Sequence, residues 1–328
     1  MNLEWFAGKR ILITGGLGFI GSAIARRLAG VAELTLVDSL IPEYGGNLAN
    51  IRSIEEQVRI NISDVRDPHS MRYLVQGMDV VFNMAGQTSH MDSMADPDTD
   101  LEINARAQLS ILEALRHHNP EARIVFASTR QLYGRPGYLP VDEEHPIRPV
   151  DVNGINKAAG EQYHLLYHQV YGIPACVLRL TNTYGPGMRI KDARQTFVGI
   201  WIRRILEGKP FEVWGGGQLR DFNYVEDVVD AFLTAAGDPH ADGQVFNLGS
   251  DEVVSLKELA DLLVAANEGT GRYEIREFPA DRKKIDIGDY YSDASLIAER
   301  LGWRPKTKLA EGLKQTLDYY RGGMEAYL

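Results

Sequence analysis

Three stretches of the chain carry residue types that could do chemistry together. The first is TGGLGFIG at 14–21, where Gly16, Gly18 and Gly21 satisfy G-x-G-x-x-G and Gly15, Gly18 and Gly21 satisfy G-x-x-G-x-x-G. Glycine lets a backbone turn tightly and approach a pyrophosphate, and a helix N-terminus behind it supplies free N–H groups and a positive dipole end. Asp38, 20 residues after Gly18, stands where a carboxylate accepts hydrogen bonds from an adenosine ribose. It would repel a 2′-phosphate, and Ser39 and Leu40 offer no cation, so NAD is favoured over NADP. Asp64 reads equally as a partner for the adenine amine and as a strand-end cap. The second stretch, NGINKAAGE at 153–161, has a helical spacing that places Asn153 and Lys157 one turn apart on one face. An amide has no proton to exchange at neutral pH, so Asn153 can donate and accept hydrogen bonds but cannot be a general base. The third is STRQLYG at 128–134, where Arg130 is suited to neutralising a substrate anion or holding a hydroxyl, or else is a structural arginine.

These residues need elements to hold them. Short apolar runs at 10–15, 33–38, 57–64, 79–86, 122–129 and 174–182 read as strands, and QVFNLGS at 244–250 as one more. Ile20, Ala23, Ile24 and Leu28 share a face behind the glycine loop, and helices are predicted over 98–118 and 153–171. Strands alternating with helices at this spacing predict an α/β fold, a doubly wound parallel sheet of the Rossmann type. The expected layout is a cofactor domain over 1–180 with a returning segment near 221–250, and a smaller C-terminal α/β substrate domain over 181–328. Ligands would bind at the carboxyl edge of the sheet.

The bulk numbers narrow the choices. The 328 residues are 44% hydrophobic and 24% charged, as in ordinary globular proteins. A net charge of −10 argues against nucleic acid as a partner. The single cysteine, Cys176, lies in the apolar run IPACVLRL and reads as a buried thiol; without a disulfide framework the expected setting is reducing and cytoplasmic. No apolar signal core opens the sequence, no run is long enough to span a membrane, and no metal-ligand cluster is read. The NIS at 61–63 is taken as a chance glycosylation match.

TGGLGFIG, SDVRD (63–67), NMAGQ (83–87), INARAQLSILEALR (103–116), FASTRQLYG (126–134), RLTNTYGPG (179–187), GGGQLRDFNYVEDVVDA (215–231) and LGWRP (301–305) follow one another in order. Together they resemble the extended short-chain dehydrogenase/reductase family that acts on nucleotide-diphosphate sugars, nearly end to end. The resemblance implies a bound NAD and a transient keto-sugar. It assigns the cofactor to Gly15, Gly18, Phe19, Ile20, Gly21, Asp38, Asp64, Val65, Ala85, Gly86, Gln87, Asn104 and Lys157. It assigns the sugar hydroxyl to Thr129, and the substrate diphosphate to Asn182, Arg220 and Arg282, with Arg130 near the substrate. Two arginines suit a diphosphate because each presents a planar fork of donors. Trp214 lines the base pocket or sits in the core. Leu109, Leu112, Leu165 and Leu166 would serve the core or the helix pair through which such proteins form a homodimer.

One motif departs from the pattern. In the family a tyrosine lies four residues before the lysine and takes the proton as hydride leaves; here that position is Asn153. Tyr133, His90 and Lys157 are the candidates to replace it, histidine being the side chain best suited to proton transfer near neutrality. The family's dehydratases place Asp-Glu after the active-site threonine and its decarboxylases a Glu; here Arg130-Gln131 follow Thr129. Epimerisation, which needs no such acid, is the expected reaction. A dehydratase, a reductase or a catalytically silent binding protein are the alternatives.

Overall fold

Strand β1 (Arg10–Thr14) explains the whole architecture in five residues. Ile11 and Ile13 enter one apolar cluster and Leu12 enters another, all fully buried, as the two-residue period of a strand covered on both faces requires. β4 (Val80–Asn83) repeats this, sending Val80 and Phe82 one way and Val81 the other. The computed structural model describes residues 3–44, 46–194 and 196–328, apart from the Asp281 side chain. With β2 (Glu33–Asp38), β3 (Val58–Ile62), β5 (Arg123–Thr129), β6 (Ala175–Leu180) and β10 (Val245–Asn247) they form a seven-stranded sheet in the order β10-β6-β5-β4-β1-β2-β3. Every pairing is parallel, so the chain is the α/β, doubly wound protein expected. The order reverses between β1 and β4, the point where such sheets open a crevice.

Helices α1 (Phe19–Leu28) and α8 (Val225–Gly237) cover one face; α2 (Pro68–Leu74), α5 (Ala107–His118) and α6 (Val152–Tyr171) cover the other. Strand β10 follows α8 and returns the chain to the sheet beside β6. The remaining strands form two small sheets. β7 (Asn182–Tyr184), β9 (Leu219–Tyr224) and β11 (Val253–Ser255) make one; β8 (Phe211–Trp214) and β12 (Tyr273–Arg276) make the other. Helices α7 (Phe197–Leu206), α9 (Leu256–Ala266), α10 (Ala280–Lys283), α11 (Ser295–Leu301) and α12 (Leu309–Arg321) complete this part. No helix among the described residues is long and apolar enough to cross a membrane.

The helix expected over 98–118 is interrupted. α3 (His90–Ala95) and α4 (Pro97–Leu101) lead into a π-helical turn, Glu102–Arg106, before α5. The wide turn frees the Ile103 carbonyl, and the buried Gln108 amide takes it at 2.9 Å. A Cβ on Gly160 would lie 2.7 Å from the Asn104 carbonyl, so α6 can press against this turn only at a glycine. Of the leucines that could serve core or surface, Leu112 is fully buried whereas Leu166 is 48% exposed.

A buried polar chain ties the sheet to α6. Thr14 Oγ1 donates to Asn83 Oδ1 at 2.8 Å and Asn83 Nδ2 donates to Gln108 Oε1 at 2.7 Å. His164 Nδ1 donates to the Gly160 carbonyl at 2.7 Å, which leaves Nε2 to face Asn83 Nδ2 at 3.3 Å as an acceptor, and the ring stacks on Phe126. Burial, reinforced by the charge of Lys157, pushes His164 down to about 4. Since the unfolded histidine takes a proton near 6.5, the stability from the neutral ring is complete above that pH and is lost as pH falls toward 4. A loss on the order of 3 kcal/mol over this window is expected in denaturant titrations, and His164→Gln should flatten it.

Candidate active site

The turn after β1 depends on two glycines. Gly15 has φ +63°, and a Cβ on it would lie 3.0 Å from the Ala85 backbone. A Cβ on Gly21 would lie 2.3 Å from the Gly15 carbonyl oxygen. The loop therefore lies flat on the crevice, and α1 starts after Gly18 with no side chain capping it. Gly15, Gly18, Phe19, Ile20 and Gly21 line a first cavity together with Asp38, Asp64 and Val65 at the ends of β2 and β3. Asp38 accepts from the Leu17 and Leu40 N–H groups at 3.1 and 2.9 Å, and burial pushes its carboxyl up. Ser39 and Ile41, not a cation, continue that wall.

Asp64 differs from one of its two readings. Arg66 forks both of its oxygens at 3.0 and 2.6 Å and a backbone N–H takes one again, so the carboxylate is committed locally. Burial alone would raise it, but the Arg66 pairing holds it below the usual carboxylate range.

Ala85, Gly86 and Gln87 form the middle of the cavity, and Thr129, Asn153 and Lys157 its inner end. Thr129 closes β5, and its Oγ1 accepts from the Gln131 N–H at 3.2 Å. Lys157 Nζ donates to the Ala127 carbonyl at 2.7 Å and sits 4.6 Å above the Phe126 ring. Burial pulls this ammonium down to about 8, with Asp100 and Glu161 opposing the fall. Asn104 does not line the cavity: it is fully buried, and its amide donates to the Gln87 carbonyl at 2.9 Å and to Asp100 at 3.0 Å. It shapes Gln87 from behind, because the π-helical turn carries it away from the opening.

Asn153 is 2% exposed, and its amide nitrogen points at three oxygens. These are the Gln87 carbonyl at 2.8 Å, Gln87 Oε1 at 3.3 Å and Asp100 Oδ2 at 3.0 Å. Three acceptors fix which end of the amide is nitrogen. Asp100 is fully buried and also accepts from Asn156 at 2.8 Å, so one carboxylate is held by Asn104, Asn153 and Asn156. Residue 153 is thus a tie between α6 and the loop after β4.

Tyr133 is not available as a proton acceptor. It is fully buried in a separate cluster, donates to Asn247 Oδ1 at 2.7 Å and accepts from Arg179. Burial pushes its hydroxyl far above the ordinary tyrosine range. His90 is placed quite differently. Its Nδ1 is sealed from solvent and lies 3.0 Å from Asp151 Oδ2, within ion-pair distance but off the line of a hydrogen bond. Asp151 is fully buried at its side chain and caps α6 through the Gly154 N–H at 2.7 Å while Gln131 Nε2 donates to it at 2.7 Å. Burial would raise Asp151, but His90 and these donors hold it low. This pairing leaves no local signal in the chain, because His90 and Asp151 lie far apart in sequence and meet only in the fold.

A second cavity, about 670 Å³, opens beside the first. Arg220, Arg282 and Trp214 line it, with Arg282 stacked 4.5 Å above the Trp214 ring. Arg220 is buried, donates to the Leu219 and Gly288 carbonyls, and lies 3.5 Å from Asp286; burial and the nearby Arg130 pull it down to about 10. The two cavities share His90, Arg130, Gln131, Asn182 and Thr196. Thr196, absent from the sequence reading, caps α7. Asn182 accepts from Arg130 at 3.0 Å and donates to the Asp221 carbonyl at 3.2 Å.

A glycine cradle at the sheet crevice, joined end to end to an arginine-lined cavity, defines a dinucleotide-binding protein that brings an anionic ligand to its cofactor. Residues 11–249 match the NAD dependent epimerase/dehydratase family, and the chain belongs to it. Its cofactor is NAD, which the flat loop and the uncharged wall after Asp38 fit. A UDP-glucose 4-epimerase of Mycolicibacterium smegmatis is 31% identical over 316 residues, spanning 95% of this chain and 98% of that protein. A dTDP-glucose 4,6-dehydratase of Actinoplanes sp. is also 31% identical, over 326 residues, with 95% and 98% covered. The solved UDP-glucose 4-epimerase of Thermotoga maritima with UDP-glucose superposes with a TM-score of 0.88 at 29% identity, covering 96% of this chain and all of that one (100%). Equal identity to an epimerase and a dehydratase leaves the reaction to be argued from the residues.

Proposed function

We propose that the protein is a nucleotide-diphosphate-sugar epimerase working through a transient keto-sugar, with His90, backed by Asp151, as proton acceptor. The observation that carries this is the shared wall: His90 stands where the cofactor cavity and the arginine-lined cavity meet. NAD, when bound, accepts hydride from a carbinol carbon and returns it. Lys157 would hold its nicotinamide ribose. Thr129 would hydrogen-bond the sugar hydroxyl, and His90 Nε2, with Nδ1 facing Asp151, would take that hydroxyl's proton and give it back. Arg220, Arg282 and Asn182 would hold the diphosphate, with Trp214 at the base. Arg130 and Gln131, not acids, directly follow Thr129, which disfavours expulsion of water by the family's usual route.

The exposed Ile155, Leu166 and Val170 along α6 support a homodimer formed through that helix. The functional reading is tested by incubating the purified protein with UDP- and dTDP-sugars and analysing the mixture by NMR. A new epimer at equilibrium is expected. A panel that yields neither epimer nor keto-sugar overturns it.

A further inference from the structure

Arg130 has no carboxylate within ion-pair distance among the described residues; Asp221, Asp286 and Asp151 act on it only from farther away. Its Nη2 donates to Asn182 Oδ1 at 3.0 Å and its guanidinium lies 5.1 Å from the Tyr290 ring centre. Its Nη1 is sealed from solvent and has no hydrogen-bond partner. No carboxylate among the described residues pairs with it, whereas Arg194, Arg220 and Arg276 on the same cavity each have one within 4.0 Å. The buried Asp221 is committed elsewhere, accepting from Thr181 and from the Ser292 N–H at 3.2 Å. Asp151 is committed to His90, Gln131 and Gly154. A buried, unpaired charged donor is costly, so a fold that keeps one points to a partner that arrives from outside.

Position identifies the partner. Arg220 and Arg282 line only the second cavity, but Arg130 lines both and directly follows Thr129. It therefore stands nearer the reacting end than Arg220 and Arg282, beside Asn182, which also lines both cavities. A neutral hydroxyl could take the Nη1 hydrogen bond but not balance the charge; a carboxylate does both, in a geometry that the guanidinium matches.

We propose that Arg130 receives a carboxylate on the sugar itself, so that the preferred substrate is a nucleotide-diphosphate uronic acid rather than the neutral hexose. This rests on reading the second cavity as a nucleotide-sugar site. Calorimetric titration of the purified protein with UDP, UDP-glucose and UDP-glucuronic acid tests both. The uronate is expected to bind at least about tenfold tighter than UDP-glucose. Arg130→Gln should erase that preference while UDP, whose binding also reports folding, loses much less affinity than the uronate does. Arg130→Lys should restore part of it. Equal binding of the two sugars by the native protein overturns the proposal. So does an Arg130→Gln variant that loses UDP as much as it loses the uronate, which would place the arginine on the diphosphate. Failure of all three ligands, UDP included, removes the nucleotide-sugar reading and the proposal with it.

Discussion

His90→Gln is expected to lower kcat by about 10²–10⁴-fold while the affinities for NAD and nucleotide sugar change little, the loss typical of removing a positioned general base. Asp151 makes this specific to the ring. Its carboxylate is buried, low in pKa and already fixed by Gly154 and Gln131, so it offers His90 Nδ1 a stationary negative charge. With Nδ1 facing Asp151, Nε2 is the ring nitrogen left to act as the base. Glutamine keeps a polar side chain on the wall but has no titratable nitrogen. Unchanged kcat in stopped NMR assays of His90→Gln would remove the ring from proton transfer and leave Lys157, drawn down to about 8, as the remaining candidate at that end of the cleft.

Glu161→Ala should be the most damaging single change to stability, about 3–5 kcal/mol by urea titration. Glu161 on α6 is fully buried and pairs with Arg179 on β6, whose Nε lies 3.1 Å from Oε2; Ser128 on β5 donates to the same oxygen at 2.9 Å. The pairing outweighs burial and raises the Arg179 guanidinium further above its usual range. Removing the carboxylate strands a buried cation, and that stranding, not the worth of the pair, is the main cost. Changing both partners to apolar residues should recover much of the loss. A cost under about 1 kcal/mol for Glu161→Ala would show that water reaches Arg179 once the carboxylate is gone. The pair holds β5, β6 and α6 together directly behind Thr129 and Lys157, so the same variant should also weaken NAD binding.

The parallel sheet is legible because its central strands are apolar on both faces, its edge strand β3 alternates Val58, Ile60 and Ile62, and turn residues or helices separate them. The smaller sheets were not. β9 buries Arg220, Asp221 and Asn223 beside Phe222 and Tyr224, and buried polar residues interrupt the hydrophobic period that would announce a strand. The π-helical turn was equally silent, since one extra residue in a turn leaves the composition unchanged. At the site, the glycine loop and Lys157 could be read because local spacing defines them. The Asp151 partner of His90 and the unanswered Nη1 of Arg130 could not. Each depends on side chains brought together across the fold, with Asn182 and Tyr290 supplying the setting of Arg130. The acidic stretch ADPDTDLE looks like solvated surface, yet Asp100 within it is fully buried.

That buried carboxylate changes what position 153 means for the lineage of this chain. Asp100 and the Gln87 carbonyl draw a shared donor from the Asn153 amide, and a tyrosine there would bring no nitrogen to replace it. Asn104 donates to the same two oxygens, so a change at 153 alone removes one of two donors from each rather than the last. Relatives with an asparagine at the position of Asn153 are expected to keep an acid at the position of Asp100, which an alignment of the family would check.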